Sequence, residues 1–320
     1  MNRREFVVAA AALPFALRVA PAARAGGNPV ALVTADLESH VAVVELGTGR
    51  IVKTIPTLPG PRSVQDANGR IAVVAHTKIG AVSLINGPAL NTRHVLHDFS
   101  EPRYTATHPR GRYAFVTDSK TGDLVAIDLA RPRTLGRVKL DGPSRHVTID
   151  PTGRTLWVAL GFSAERIAIL DVTQPERPRL RRYLTPPFHA HDVGFTADGR
   201  HVWVSSGDRG TLAVYDALEA RPLRRLPGDA PPQHVTFLGP YAYVASGDDA
   251  RVRVHSLRDG RILRTTVVPE GSYNVQEAFG TVLTPSLDRG TLCILGRGGK
   301  LLRRVAVARS SHDACFVMAA

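Results

Sequence analysis

The chain has 320 residues, 43% hydrophobic and 6% aromatic, with 41 Lys+Arg against 28 Asp+Glu and a formal charge of +13. That apolar content excludes a disordered chain, and two cysteines exclude a disulfide framework or a cysteine-based zinc finger. The 28 glycines and 23 prolines are spread along the chain, which excludes long helices in favour of many turns.

The N-terminus reads as an address. Arg3-Arg4 followed by Glu5-Phe6 resembles the twin-arginine export motif. The Ala-rich stretch from Phe6 to Leu17 is shorter than the roughly 20 apolar residues that span a bilayer. Ala23-Arg24-Ala25 is a small-x-small cleavage site, and Arg18 and Arg24 after the apolar run fit the twin-arginine route. Residues 1–25 are expected to be a removable signal peptide, and residues 26–320 a folded domain delivered to the periplasm or the exterior. Removal takes away four arginines and one glutamate, lowering the charge from +13 to +10. No later segment is long and apolar enough to span a membrane.

The rest of the chain repeats one unit. A strand-like motif recurs as Ala31–Thr34, Ala72–Ala75, Ala114–Thr117, Leu156–Ala159, Val202–Ser205, Ala242–Ala245 and Thr281–Thr284, at spacings of 39 to 46 residues. Each unit has a short strand and turn, this apolar strand, a loop such as Ser206-Gly207-Asp208, then a third and a fourth strand. Four short strands in about 40–45 residues, separated by Gly, Pro and Asp turns, make a propeller blade. The expected fold is all-β: a single seven-bladed β-propeller over residues 26–320. Asp313–Met318 matches an innermost strand and Val30–Thr34 a second strand, so the two ends are expected to share one blade and close the ring. An open solenoid would need capping repeats, and a WD40 ring would show Gly-His and Trp-Asp pairs; neither is present.

Pro109–Ala114, Phe115-Val116-Thr117-Asp118 and Val125-Ala126-Ile127-Asp128 resemble the YVTN-repeat family of exported seven-bladed propellers, the YncE-like proteins. The resemblance covers the whole mature chain and implies the propeller fold. The same motif style occurs in seven-bladed lactonases and in the haem-binding propeller of periplasmic nitrite reductases, while some propellers of the group bind DNA or metals.

The positive charge reads as edge protection. Lys53, Arg137, Lys139, Arg181, Arg182, Arg224, Arg225, Arg264, Arg303 and Arg304 all fall on predicted fourth strands, where basic residues block strand addition by other chains. They form a belt and no aromatic-interleaved patch, so no specific nucleic acid is expected as a partner. Trp157 and Trp203 occupy matching second-strand positions and read as inter-blade core. Cys293 and Cys315 lie on strands that are not sheet neighbours and read as buried thiols.

Aligning the units at the turn into the innermost strand gives Arg62-Ser63, Arg103-Tyr104, Arg145-His146, His191-Asp192, Gln233-His234, Tyr273-Asn274 and His312-Asp313. That turn lines the mouth of the central channel, so Arg62, Arg103, Arg145, His146, His191, Asp192, His234, Asn274, His312 and Asp313 are candidate ligand-binding residues. Asp36, Asp118, Asp208, Asp248 and Asp288 approach the same face from the loops after the second strand. His146, His191, His234 and His312 together could hold a first-row transition metal such as Zn, Cu or Fe. The competing reading is that these His and Asp side chains bond the neighbouring blade and hold the ring in register.

The sequence contains no Gly-x-Ser-x-Gly, no His-Glu-x-x-His and no phosphate-binding glycine loop. Three functions remain: a binding or scaffold module presenting its upper face to a protein or small molecule without turnover; a metal- or cofactor-binding redox accessory; and a lactonase-like hydrolase with a His base and an Arg oxyanion partner. The first is favoured, in a monomer.

Overall fold

The computed structural model describes residues 27–161 and 164–320. The expected signal peptide lies outside the described residues. The described residues form seven four-stranded antiparallel sheets, each ordered inner, second, third, outer. Blades 2 to 7 follow chain order, with inner strands Ser63–Ala67, Pro102–Thr107, Ser144–Ile149, Val193–Phe195, Val235–Leu238 and Gln276–Ala278. Blade 1 is shared: Ala314–Ala319 is its inner strand, pairing antiparallel with Asn28–Ala35 in the register Ala31 to Phe316. Each inner strand touches the inner strands on both sides, so the ring is closed.

Second and third strands are buried on both faces because a neighbouring blade covers each. Successive side chains point to opposite faces, and the apolar side chains therefore sort into seven separate cores, one per blade interface. Trp157 lies in the core between blades 4 and 5, edge-on to Phe195 and Tyr215, and Trp203 in the next core, edge-on to Phe237 and His255. Both are essentially unexposed. Trp203→Ala is expected to cost about 3–5 kcal/mol of stability, read as a lower midpoint in a guanidinium titration. All seven pairs of third and outer strands share a register shift at the same place, as at Val43/Val44 and Ile294/Leu295. Such bulges increase local twist.

The outer strands are exposed and carry the basic belt, which also laces the blades. Arg224 donates to the Leu257 carbonyl of blade 6 at 3.1 Å, Arg182 to the Glu219 carbonyl of blade 5 at 2.6 Å, and Arg303 to the Gly47 carbonyl of blade 1. Cys293 and Cys315 are buried free thiols in different blades. His108, at the turn before Tyr113, packs its ring against Gly153 of blade 4. Gly153 has φ +74°, and a Cβ there would overlap the imidazole. Among the described residues no helix is long and apolar enough to cross a membrane.

Candidate metal centre

Extended backbone alternates, and it divides each aligned pair. The second members, Ser63, Tyr104, His146, Asp192, His234, Asn274 and Asp313, form one ring, one residue per blade, around the end of a channel cavity of about 230 Å3. The cavity continues down the bore past Gln65, Thr148 and Thr236 to Thr107, Ile149, Phe195 and Phe237 at the lower ends of the inner strands. The first members stand outside it. Arg62 and Arg103 line a separate pocket on the upper face.

Several of these side chains brace the ring. Asp313 Oδ2 accepts the Val64 N–H of blade 2 at 3.0 Å, while its Oδ1 accepts Asn274 Nδ2 of blade 7 at 2.6 Å and the Ala314 N–H at 2.8 Å. Asp192 Oδ2 accepts the Val235 N–H of blade 6 at 3.0 Å. His312 Nδ1 lies 3.1 Å from the Arg62 carbonyl of blade 2, and Arg62 Nη1 donates to Asp36 at 2.9 Å. Ser63 Oγ donates to the Arg103 carbonyl and Ser205 Oγ to the Gln233 carbonyl, both at 2.5 Å. Thr117 Oγ1 donates to the Arg145 carbonyl at 2.7 Å. Apart from the Ala314 N–H bond within blade 1, each of these links ties one blade to the next.

Three of the four predicted imidazoles come together. His146, His191 and His234, from blades 4, 5 and 6, place nitrogen atoms within 4.8 Å of one another, and all three are buried. Ring centroids are 4.5 Å apart for His146 and His191 and 4.6 Å for His146 and His234. His312 lies outside this group, turned to the Arg62 carbonyl. His191 is a first member, yet it reaches the cluster from the residue pair directly before the inner strand that begins at Val193. Gly207 also gives it room: φ there is +73°, and a Cβ would meet the His191 Cβ at 2.6 Å.

His146 is 1% exposed, and among the described residues neither ring nitrogen has a hydrogen-bond partner. A buried polar group in that state costs roughly 1–3 kcal/mol. Burial, then the neighbouring His191, His234 and Arg145, holds its pKa well below the usual imidazole range. Burial and Arg62 do the same for His312. Both rings are therefore neutral in neutral solution. Asp192 Oδ2 stands 3.5 Å from His234 Nδ1, a carboxylate beside the imidazole within ion-pair range.

Tyr104, of blade 3, completes the site and is absent from the ligand set that the sequence suggests. Its ring is 4.1 Å from that of His146 and 5.6 Å from that of His234. Burial raises its pKa against the opposing influence of Arg145 and Arg62. The sequence does hold a signal for it: Tyr104 aligns with His146 and His234 in the repeat register. Asp313 is pushed up to about 7 by burial, against the N–H bond from Val64.

At the lower end of blade 2, Asp66 accepts the Gly69 N–H at 3.2 Å, and burial, with Glu277 adding to it, pushes its carboxyl up to about 7. A carboxyl raised above its unfolded value contributes stability in full below the ordinary carboxylate range and loses it as pH rises through 7. Asp66→Asn is therefore expected to gain melting temperature relative to the native chain as pH rises from about 4 to 8, with no gain at the acid end.

No family model matches the chain, and no curated protein matches it. Solved structures do resemble it. The dihydro-heme d1 dehydrogenase NirN in complex with DHE aligns with 89% of this chain and 74% of its own, at TM-score 0.63 and 16% identity. A functionally unknown protein from Desulfotomaculum acetoxidans aligns over 91% and 99%, at TM-score 0.78 and 11% identity. Kuenenia stuttgartiensis hydrazine synthase aligns over 84% and 92%, at TM-score 0.66 and 14% identity. At these identities the shared property is the propeller fold.

Proposed function

We propose that the protein is an exported, YVTN-type propeller that binds a first-row transition metal at His146, His191 and His234, acting as a metal-binding accessory module without a covalent catalytic step of its own. The observation that carries this reading is the convergence of three buried imidazoles, with His146 left unpartnered on both nitrogens among the described residues.

The donor set fits. Imidazole suits Zn, Cu, Fe and Ni. Nitrogens bound tetrahedrally at roughly 2.0–2.1 Å stand about 3.4 Å apart, so side-chain shifts of about 1 Å bring the three into a ligand set. Three protein ligands leave a coordination position open, and His146 and His234 face a cavity into which a small ligand fits. Bound there, the metal supplies Lewis acidity or one-electron chemistry. The chain supplies the imidazoles, the Asp192 contact behind His234 and a buried setting. Delivery through the twin-arginine route, which carries folded proteins, agrees with a site assembled only in the closed ring. Two structural neighbours, a dehydrogenase solved with DHE and a hydrazine synthase, lend context through their fold.

The test is metal analysis of protein exported through its own signal, followed by cobalt(II) and copper(II) titration of the stripped protein. One equivalent per chain with a saturable visible spectrum is expected. Absence of stoichiometric metal in both experiments rejects the proposal.

A further inference from the structure

The upper face carries a feature that the metal centre does not use. Arg62, Arg103 and Arg145 occupy the same register position in three successive blades. Above the first two lies a pocket of about 540 Å3, whose wall includes Lys78 and Lys120 and, among the described residues, two carboxylates, Asp36 and Glu101. The wall thus holds two positive charges in excess.

The existing ion pairs leave donors to spare. Arg62 gives Nη1 to Asp36 at 2.9 Å, and Arg103 gives Nη2 to Glu101 at 2.9 Å, each a single contact that leaves the guanidinium fork open. Arg103 Nε is buried without an acceptor among the described residues. Lys78 and Lys120 are exposed and form no ion pair among the described residues. Burial, with Arg103 and Arg62 adding to it, disfavours the Arg145 cation beside them. Gathering these cations is unfavourable unless an anion joins them, and a guanidinium fork matches carboxylate or phosphate oxygens. The volume lies within the range of small-molecule sites.

We propose that this pocket binds a small molecule carrying two negative charges on carboxylate or phosphate groups, held by Arg62 and Arg103 with Lys78 and Lys120 at its rim. The site stands independently of the metal.

Calorimetric titration of the full chain with inorganic phosphate and, separately, with succinate tests it. One-site, saturable binding of at least one anion is expected, weakening with added salt, and the tighter binder identifies the headgroup. Arg103→Gln is expected to weaken it about tenfold or more, equivalent to at least ~1.4 kcal/mol. The double variant Lys78→Gln, Lys120→Gln alters exposed side chains only and is expected to weaken it similarly, which keeps the test decisive even where Arg103→Gln folds poorly. His146→Ala is expected to bind the anion as the native chain does. Lack of saturable binding by either anion, native affinity in the lysine variant, or loss of binding in His146→Ala would overturn the proposal.

Discussion

His146→Ala is expected to abolish stoichiometric metal binding, lowering affinity by more than about 100-fold, beyond the 10–100-fold range of residues that merely support a ligand. The metal-free variant is expected to melt no lower than the metal-free native chain. The reason is in the bonding: the His146 ring is buried and makes no hydrogen bond among the described residues, so its removal relieves an unsatisfied group while losing packing. His312→Ala gives the opposite pattern. That ring belongs to the link with the Arg62 carbonyl, so metal binding stays within a few-fold of native while stability falls by about 1–2 kcal/mol. Retention of native metal affinity in His146→Ala would remove the centre from consideration whatever His312→Ala does.

Stopping the chain at Ser311 is expected to eliminate cooperative thermal unfolding and to leave the protein prone to self-association, measured by calorimetry and light scattering. The missing segment contains the inner strand of blade 1, whose Cys315, Val317 and Ala319 fill the core between blades 1 and 2. It also contains Asp313, which ties blades 7, 1 and 2 together. Without it, Asn28–Ala35 becomes an open apolar edge, a template for pairing with other chains. A truncated protein with a native-like, concentration-independent melt would show that the other six interfaces suffice.

The second strands are legible in the sequence because burial on both faces demands an unbroken apolar run. Leu156–Ala159 and Ala242–Ala245 carry that signal by composition alone. Ring closure is legible because Asp313–Met318 lacks a partner within its own unit. The aligned pairs at the inner turns locate the ring of polar residues. Which member of each pair faces the bore is not legible, since a one-residue change of register exchanges the two. That Tyr104 joins the imidazoles and Arg62 leaves them follows from this parity. The separation of His312 from the three others follows its turn to the Arg62 carbonyl, and the place of His191 among them uses the bare backbone of Gly207, local details that a repeat alignment averages away. The basic residues are legible as an exposed belt; their bonds to carbonyls of adjacent blades are not, because long side chains reach targets far apart in sequence.

Seven cores in a circle, in place of one central core, make the bore's circumference a property of how many units the gene encodes. Duplicating a repeat would preserve every local interface yet widen the opening and draw blades 4, 5 and 6 onto a flatter arc, pulling the three imidazoles apart. The number of units is thereby under constraint from the chemistry at the axis as well as from the need to seal the circle.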